Sequence, residues 1–107
     1  MSYAPKLNPL ARVLGQQHQA VLSTLDAFDA RPSRHTAATV LTTLRRELPV
    51  HFALEARAQM PGCVCAEHPG FLRDAISLRP DDLEGVRQLG ARIRIHIMRE
   101  ERARGRG

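Results

Sequence analysis

The segment Leu48-Pro49-Val50-His51-Phe52-Ala53-Leu54-Glu55, at residues 48–55, decides how this chain folds. Apolar residues recur through it and upstream at a spacing of three and four, which is typical of a helix with one apolar face. His51 and Glu55 follow Leu44 and Leu48 at the same spacing, so they fall on that face. The segment therefore predicts a helix that turns a histidine and a glutamate toward the protein interior.

Three further stretches show the same apolar periodicity, and no stretch alternates as a strand would. They are separated by proline and glycine at 31–33, 61–70 and 79–81. The fourth helix is expected to begin after Pro80, with Asp81 as its N-cap. The apolar stripes are Leu10, Val13, Leu14, Val21, Leu22 and Leu25; Val40, Leu41, Leu44, Leu48 and Phe52; Phe71, Leu72, Ala75, Ile76 and Leu78; and Leu83, Val86, Leu89, Ile93 and Ile97.

These stretches predict an all-α protein, an antiparallel up-down-up-down four-helix bundle with a short third helix. A chain of 107 residues has the size of one domain, so residues 1–107 are expected to form a single domain. Its core is expected over about 8–103, with an Arg/Gly tail at 104–107. Pro49 removes a helical hydrogen bond just before His51, which predicts a kink that can displace the residues beyond it.

Composition and charge argue against nucleic-acid binding and membrane insertion. The net charge is +5, but residues 1–90 are nearly balanced and the excess of arginine lies at the carboxyl end. With one tyrosine, three phenylalanines and no tryptophan, there is no aromatic platform for unpaired bases, so nucleic acid is not the expected partner. No apolar run is long enough for a membrane span or a secretory signal, which predicts a cytoplasmic protein with no membrane contact.

Polar residues interrupt the apolar stripes on three of the predicted helices. A charged carboxylate facing an apolar interior costs several kcal/mol without a partner. A bound cation would compensate it, and imidazole with carboxylate suits iron, manganese or zinc alike. A histidine on an apolar face is more commonly a hydrogen-bonded core residue, but coincidence does not readily place several of them in register. These residues are His18, His51, Glu55, His96 and Glu100.

The pattern resembles the hemerythrin-like, HHE cation-binding family. The resemblance rests on residues 14–18 (LGQQH), 48–55 (LPVHFALE) with Met60-Pro61, and 96–101 (HIMREE). It implies a non-haem di-iron centre in which Glu55 and Glu100 bridge the ions. The third helix departs from the family pattern, because His68 stands first and Leu72 occupies the place of the second ligand. The ligand set implied by the resemblance is His18, His51, Glu55, His68, His96 and Glu100.

The expected function is binding or sensing of oxygen or nitric oxide, or iron handling, rather than catalysis. Low oxidase or peroxidase activity at an open iron site is compatible with it. A mononuclear iron site is an alternative to the di-iron one. A second alternative is a degenerate bundle without metal that acts as an interaction module through its Arg-rich carboxyl end.

Four residues outside the ligand set carry separate expectations. Cys63 and Cys65, with His68 nearby, permit a zinc loop or redox-responsive thiols. His35 is expected to be exposed. Glu101 lies one residue off the inward face and is expected to pair with an arginine or to support a ligand from behind.

Overall fold

The computed structural model describes residues 9–58 and 65–105, and these ranges contain helices without any strand. A short 3₁₀ turn, Cys65–Glu67, leads directly into the third α-helix. The α-helices are α1 (Pro9–Ala30), α2 (Arg34–Ala58), α3 (His68–Ser77) and α4 (Leu83–Gly105). The all-α four-helix bundle with a short third helix is confirmed. The up-and-down order of its helices stays a prediction.

The starts of α2 and α4 are fixed by side-chain caps. Before α2, the Thr36 backbone N–H donates to Ser33 Oγ at 3.1 Å, and the Ser33 N–H donates to Thr36 Oγ1 at 3.0 Å. Before α4, the Gly85 N–H donates to Asp82 Oδ1 at 2.9 Å. The N-cap of α4 is therefore Asp82, and the prediction of Asp81 was wrong by one residue because the preceding turn extends through Asp81.

The end of α3 is held by a side chain from α2. The Arg45 guanidinium donates to the carbonyl of Ala75 at 2.6 Å, and to those of Ile76 and Leu78 at 3.3 and 2.9 Å. The last carbonyls of a helix lack partners within it, so these hydrogen bonds stabilise a helix of only ten residues. Arg45 thereby fixes the position of the helix that carries His68.

Proline inside α2 does not interrupt the helix. α2 continues through Pro49, whose ring is exposed, while Leu48 and Phe52 on either side are buried. The displacement of His51 and Glu55 expected from this proline does not occur, since both side chains are buried. At the other end of the chain, α4 continues to Gly105 and includes the first two residues of the predicted tail.

The apolar core uses most of the predicted stripes, with three corrections. Val13, Ile76 and Leu83 are 41%, 69% and 36% exposed. Val13 and Ile76 each follow or precede a buried residue by one position and so point off the inward face, and Leu83 begins its helix. The buried positions of α1 are Leu14, His18, Val21, Leu25 and Phe28.

Glycine permits a close contact between α1 and α4. A Cβ added at Gly90 would lie 2.9 Å from Leu25 Cδ2, which is closer than side chains normally approach. Nearby, Arg94 on α4 donates to Asp26 and Asp29 on α1 at 2.8 and 2.9 Å. None of the described helices combines the length and apolar character needed to cross a membrane.

Candidate metal centre

Six polar side chains meet inside the bundle, and they are the six predicted as ligands. Each is 6% exposed or less. Their donor atoms form two groups, and within each group all atoms lie within 4.8 Å of one another. The first group is His18, His51, Glu55 and Glu100, and the second is Glu55, His68, His96 and Glu100. All four helices therefore contribute to one buried cluster, in which both groups use the same two carboxylates.

Glu55 on α2 faces a histidine of each group. Its Oε2 lies 3.2 Å from His51 Nε2, one turn earlier in the same helix. Its Oε1 lies 3.4 Å from His68 Nε2, at the start of α3. The two oxygens of this carboxylate are thus directed to different groups.

The two carboxylate oxygens of Glu100 on α4 are also directed to different groups. Its Oε1 lies 3.1 Å from His18 Nε2 and 3.7 Å from His51 Nε2. Its Oε2 lies 2.9 Å from His96 Nε2. Two carboxylates that each span two histidine pairs have the arrangement needed to bridge two cations.

Three of the histidines contact a further polar side chain through Nδ1, the ring nitrogen that faces away from the two carboxylates. His18 Nδ1 lies 2.9 Å from Glu101 Oε2, and His96 Nδ1 lies 2.7 Å from Glu67 Oε1. His51 Nδ1 lies 2.8 Å from Gln17 Oε1. Carboxylate oxygens only accept hydrogen bonds, so the Nδ1 atoms of His18 and His96 must donate. Such contacts orient an imidazole and fix which nitrogen carries the proton.

When these histidines are neutral, the ring nitrogen that faces the interior, Nε2, carries no hydrogen to donate. A neutral imidazole has one N–H, and with Nδ1 donating outward its Nε2 offers a lone pair to the interior. His18 Nε2 and His51 Nε2 lie 3.0 Å apart, a separation at which two lone pairs need a proton or a cation between them. His96 Nε2 is buried as well and lies 2.9 Å from Glu100 Oε2. This donor set fits a metal cation.

The pKa values show how the metal-free cluster holds its charge. Burial raises the pKa of Glu100, but hydrogen bonds from His18, His51 and His96 outweigh it and hold that pKa well below its usual range. Burial lowers the pKa of His51 and of His96, yet the neighbouring carboxylates raise both above their usual value. Protons on these imidazoles therefore compensate the carboxylates when no metal does.

His68 lies against an aromatic ring of the core. Its ring stacks on Phe52 with centroids 3.7 Å apart and planes 5° from parallel. Burial is the main cause that lowers the pKa of His68. The neutral imidazole is the form that binds a metal, so this setting favours ligation. His68 begins α3 next to Pro69, and its side chain belongs to the buried cluster.

The position four residues after His68 holds no ligand. Leu72 is half-buried and packs against the apolar core. α3 thus contributes one donor where the family pattern has two.

A small cavity adjoins the histidines. Its volume for the centre of a water-sized molecule is about 10 Å³, enough for about one such molecule. Leu14 and Leu22 of α1 are not among its lining residues. Of the side chains that do line it, only Gln17 and Glu47 are partly exposed, so these two mark its nearest approach to solvent. The apolar lining consists of Val21, Leu48, Phe52, Phe71, Ile93 and Ile97.

Sequence reasoning found some of the supporting residues and missed others. Glu101 was predicted to support a ligand or pair with an arginine, and it contacts His18. Gln17 and Glu67 were missed: Gln17 is one position off the inward face of α1, and Glu67 lies in a turn without helical periodicity. His35 is exposed, as predicted. The hypotheses of a zinc loop or redox-responsive thiols concern Cys63 and Cys65, whose side chains lie outside the described part of the structure.

Comparison with known proteins adds no assignment. No protein-family model, no curated protein and no solved structure matches the chain.

Proposed function

We propose that this chain is a hemerythrin-like protein that binds two iron ions in the centre described above. The observation that carries the proposal is that Glu55 and Glu100 each direct one oxygen to each histidine pair. Two cations placed in the two groups would share both carboxylates, and each would have two imidazole nitrogens of its own.

The negative charge of the two buried carboxylates supports the binding of a metal cation. Two fully buried carboxylates are costly unless positive charge lies beside them. In the metal-free protein, protons on His51 and His96 supply that charge in part. Divalent cations would supply more of it and would displace those protons, since the neutral imidazole is the ligand form.

The choice of iron among the first-row metals rests on the family resemblance. Mixed imidazole and carboxylate ligation suits iron, manganese and zinc, and the family resemblance favours iron. Two nitrogens and two carboxylate oxygens leave a six-coordinate metal with open positions. When bound, iron with an open position would supply reversible binding of a small diatomic molecule such as dioxygen or nitric oxide.

The size and lining of the cavity are consistent with the binding of a small ligand. It admits about one water-sized molecule, and buried aliphatic and phenyl groups line it. Such a wall limits water around the metal and favours a small uncharged molecule over a polar one.

Iron content per chain is the test. The purified protein, loaded with ferrous iron without oxygen and passed over a desalting column, is expected to retain about two ions per chain. Glu100→Ala removes a shared ligand and is expected to lose both ions. His68→Ala removes a ligand of the second group alone and is expected to leave about one ion, since the first group keeps its own imidazoles.

Two variants serve as matched controls. His35→Ala removes an exposed histidine from α2, and Glu84→Ala removes an exposed glutamate from α4. Both are expected to keep the iron content of the unmodified protein. About one ion in the unmodified chain would instead indicate a mononuclear site, and no iron would favour a metal-free interaction module.

A further inference from the structure

A surface cleft between the start of α3 and the middle of α4 carries three arginines. Arg73 comes from α3, and Arg92 and Arg99 come from α4. The cleft has a volume of about 570 Å³, within the range of small-molecule binding sites. Ile95 and Phe71 provide an apolar part of its wall. This cleft is distinct from the small cavity beside the histidines.

The guanidinium groups are only partly neutralised. Arg92 Nη2 lies 2.6 Å from Asp74 Oδ2, and Arg99 Nη2 lies 3.5 Å from Glu67 Oε2. Arg73 makes no ion pair within the described part of the chain. Arg92 and Arg99 are each 51% exposed, and a guanidinium has five N–H donors, so donors remain for a ligand.

Apolar contact holds part of this cluster in place. The Arg92 guanidinium lies over the Phe71 ring, 5.8 Å from its centroid, while Ile95 is about half-exposed on the same wall. Stacking of this kind restricts an arginine without consuming its N–H donors. The cleft therefore offers positive charge beside a half-exposed aliphatic side chain.

We propose that this cleft binds a small organic anion. A phosphate or carboxylate head group would accept hydrogen bonds from the three guanidinium groups, which match such groups in shape and charge. The apolar part of the ligand would lie against Ile95. The proposal does not depend on iron binding, because none of these side chains is a ligand of the metal centre.

Glu67 connects the cleft to the metal centre. Its Oε2 faces Arg99 in the cleft, and its Oε1 accepts the hydrogen bond from His96 Nδ1 at 2.7 Å. An anion that draws Arg99 away would leave Glu67 with its charge less compensated. Occupancy of the cleft is therefore expected to shift the His96 imidazole resonances, which gives the binding event a local reporter.

The experiment uses the metal-free full chain, titrated with phenyl phosphate, benzoate and inorganic phosphate. Calorimetry measures affinity, and nuclear magnetic resonance follows the imidazole signals. Phenyl phosphate or benzoate is expected to bind saturably and more tightly than inorganic phosphate, with His96 shifted and His35 unchanged. The tighter of the two aromatic anions identifies the head group.

Arg73→Gln is expected to weaken binding about tenfold or more, because it removes charge-assisted hydrogen bonds. Arg87→Gln is the matched control: it makes the same charge change at an exposed position of α4 outside the cleft, and it should leave the affinity unchanged. Circular dichroism checks that both variants fold. Equal loss in the two variants, no saturation, or an unshifted His96 would overturn the proposal.

Discussion

The bundle contains two buried regions of opposite chemistry. Leu41 and Leu89 belong to an apolar region, Glu55 and Glu100 belong to the metal centre, and all four side chains are fully buried. Burial of the apolar region favours folding by about 25 cal/mol for each Å² removed from water. Burial of the carboxylates costs free energy unless positive charge accompanies them. Equal burial therefore stabilises one region unconditionally and the other only when a proton or a metal is present.

The largest expected effect lies in the apolar region. Leu41→Ala leaves a cavity and is expected to lower the free energy of unfolding by about 2–5 kcal/mol. The loss should be the same with and without iron, because Leu41 is not one of the side chains of the metal centre. Denaturant unfolding of both forms measures it, with the exposed neighbour Thr42→Ala as control. A loss confined to the metal-free form would show that the regions are not independent.

The metal centre, unlike the apolar region, should stabilise the protein further when iron is added. At free iron about 100 times the dissociation constant, a ligand that binds only the folded state adds about 2.7 kcal/mol to the free energy of unfolding. His51→Ala removes a ligand of the first group alone and is expected to reduce this gain, and His35→Ala in the same helix should keep it. Thermal melts with and without iron measure the difference. Equal melting temperatures for the unmodified protein in both conditions would refute iron binding to the folded state.

A smaller effect is expected at a supporting contact. Glu101→Gln keeps the size of the side chain but removes the charge that faces His18 Nδ1. Loss of such a supporting partner lowers metal affinity by about 10–100-fold. Competition with a metal chelator measures that affinity, and the exposed Glu84→Gln on the same helix is the control. Unchanged affinity would mean that His18 needs no carboxylate behind it.

The smallest expected effect is the pH dependence of the metal-free protein. The pKa values of His51 and His96 are raised above 6.5, so the stability that their protonation contributes is complete below about 6.5 and is lost as the pH rises through the raised values. The pKa of His68 is lowered, so its contribution falls as the pH drops below 6.5. The free energy of unfolding should therefore decline on both sides of this pH.

Chemical denaturation across the neutral range tests this pH profile. Iron should weaken the decline above pH 6.5, because the metal replaces the protons that are lost. A metal-free protein whose stability rises steadily through the alkaline range would contradict the assigned pKa directions.

Helical periodicity made most of the fold predictable. The stripe from Val40 to Phe52 is buried throughout, and residues four apart share a face regardless of what they pack against. The same local rule placed His51 with Glu55 and His96 with Glu100. Buried polar residues on apolar stripes also suggested a cation before any distance was known, because their cost is a matter of solvation rather than of geometry.

Helical spacing did not predict the residues outside that periodicity, and His68 entered the ligand set only through the family resemblance. His68 begins its helix beside a proline, and its ring stacks on Phe52 of another helix. Glu67 precedes that helix in a turn, and its contact with His96 joins residues 29 positions apart. No local spacing encodes such a contact.

The sequence by itself determined which faces of the helices are buried and which of their residues carry imidazole or carboxylate, because both properties follow from the chain's own 3.6-residue repeat. Only the tertiary structure decided that four helices bring these groups to a common place, that each carboxylate divides its oxygens between two histidine pairs, and that arginines of two helices line one cleft. The physical reason is that these relations are distances between separate helices, which depend on how all the side chains pack at once.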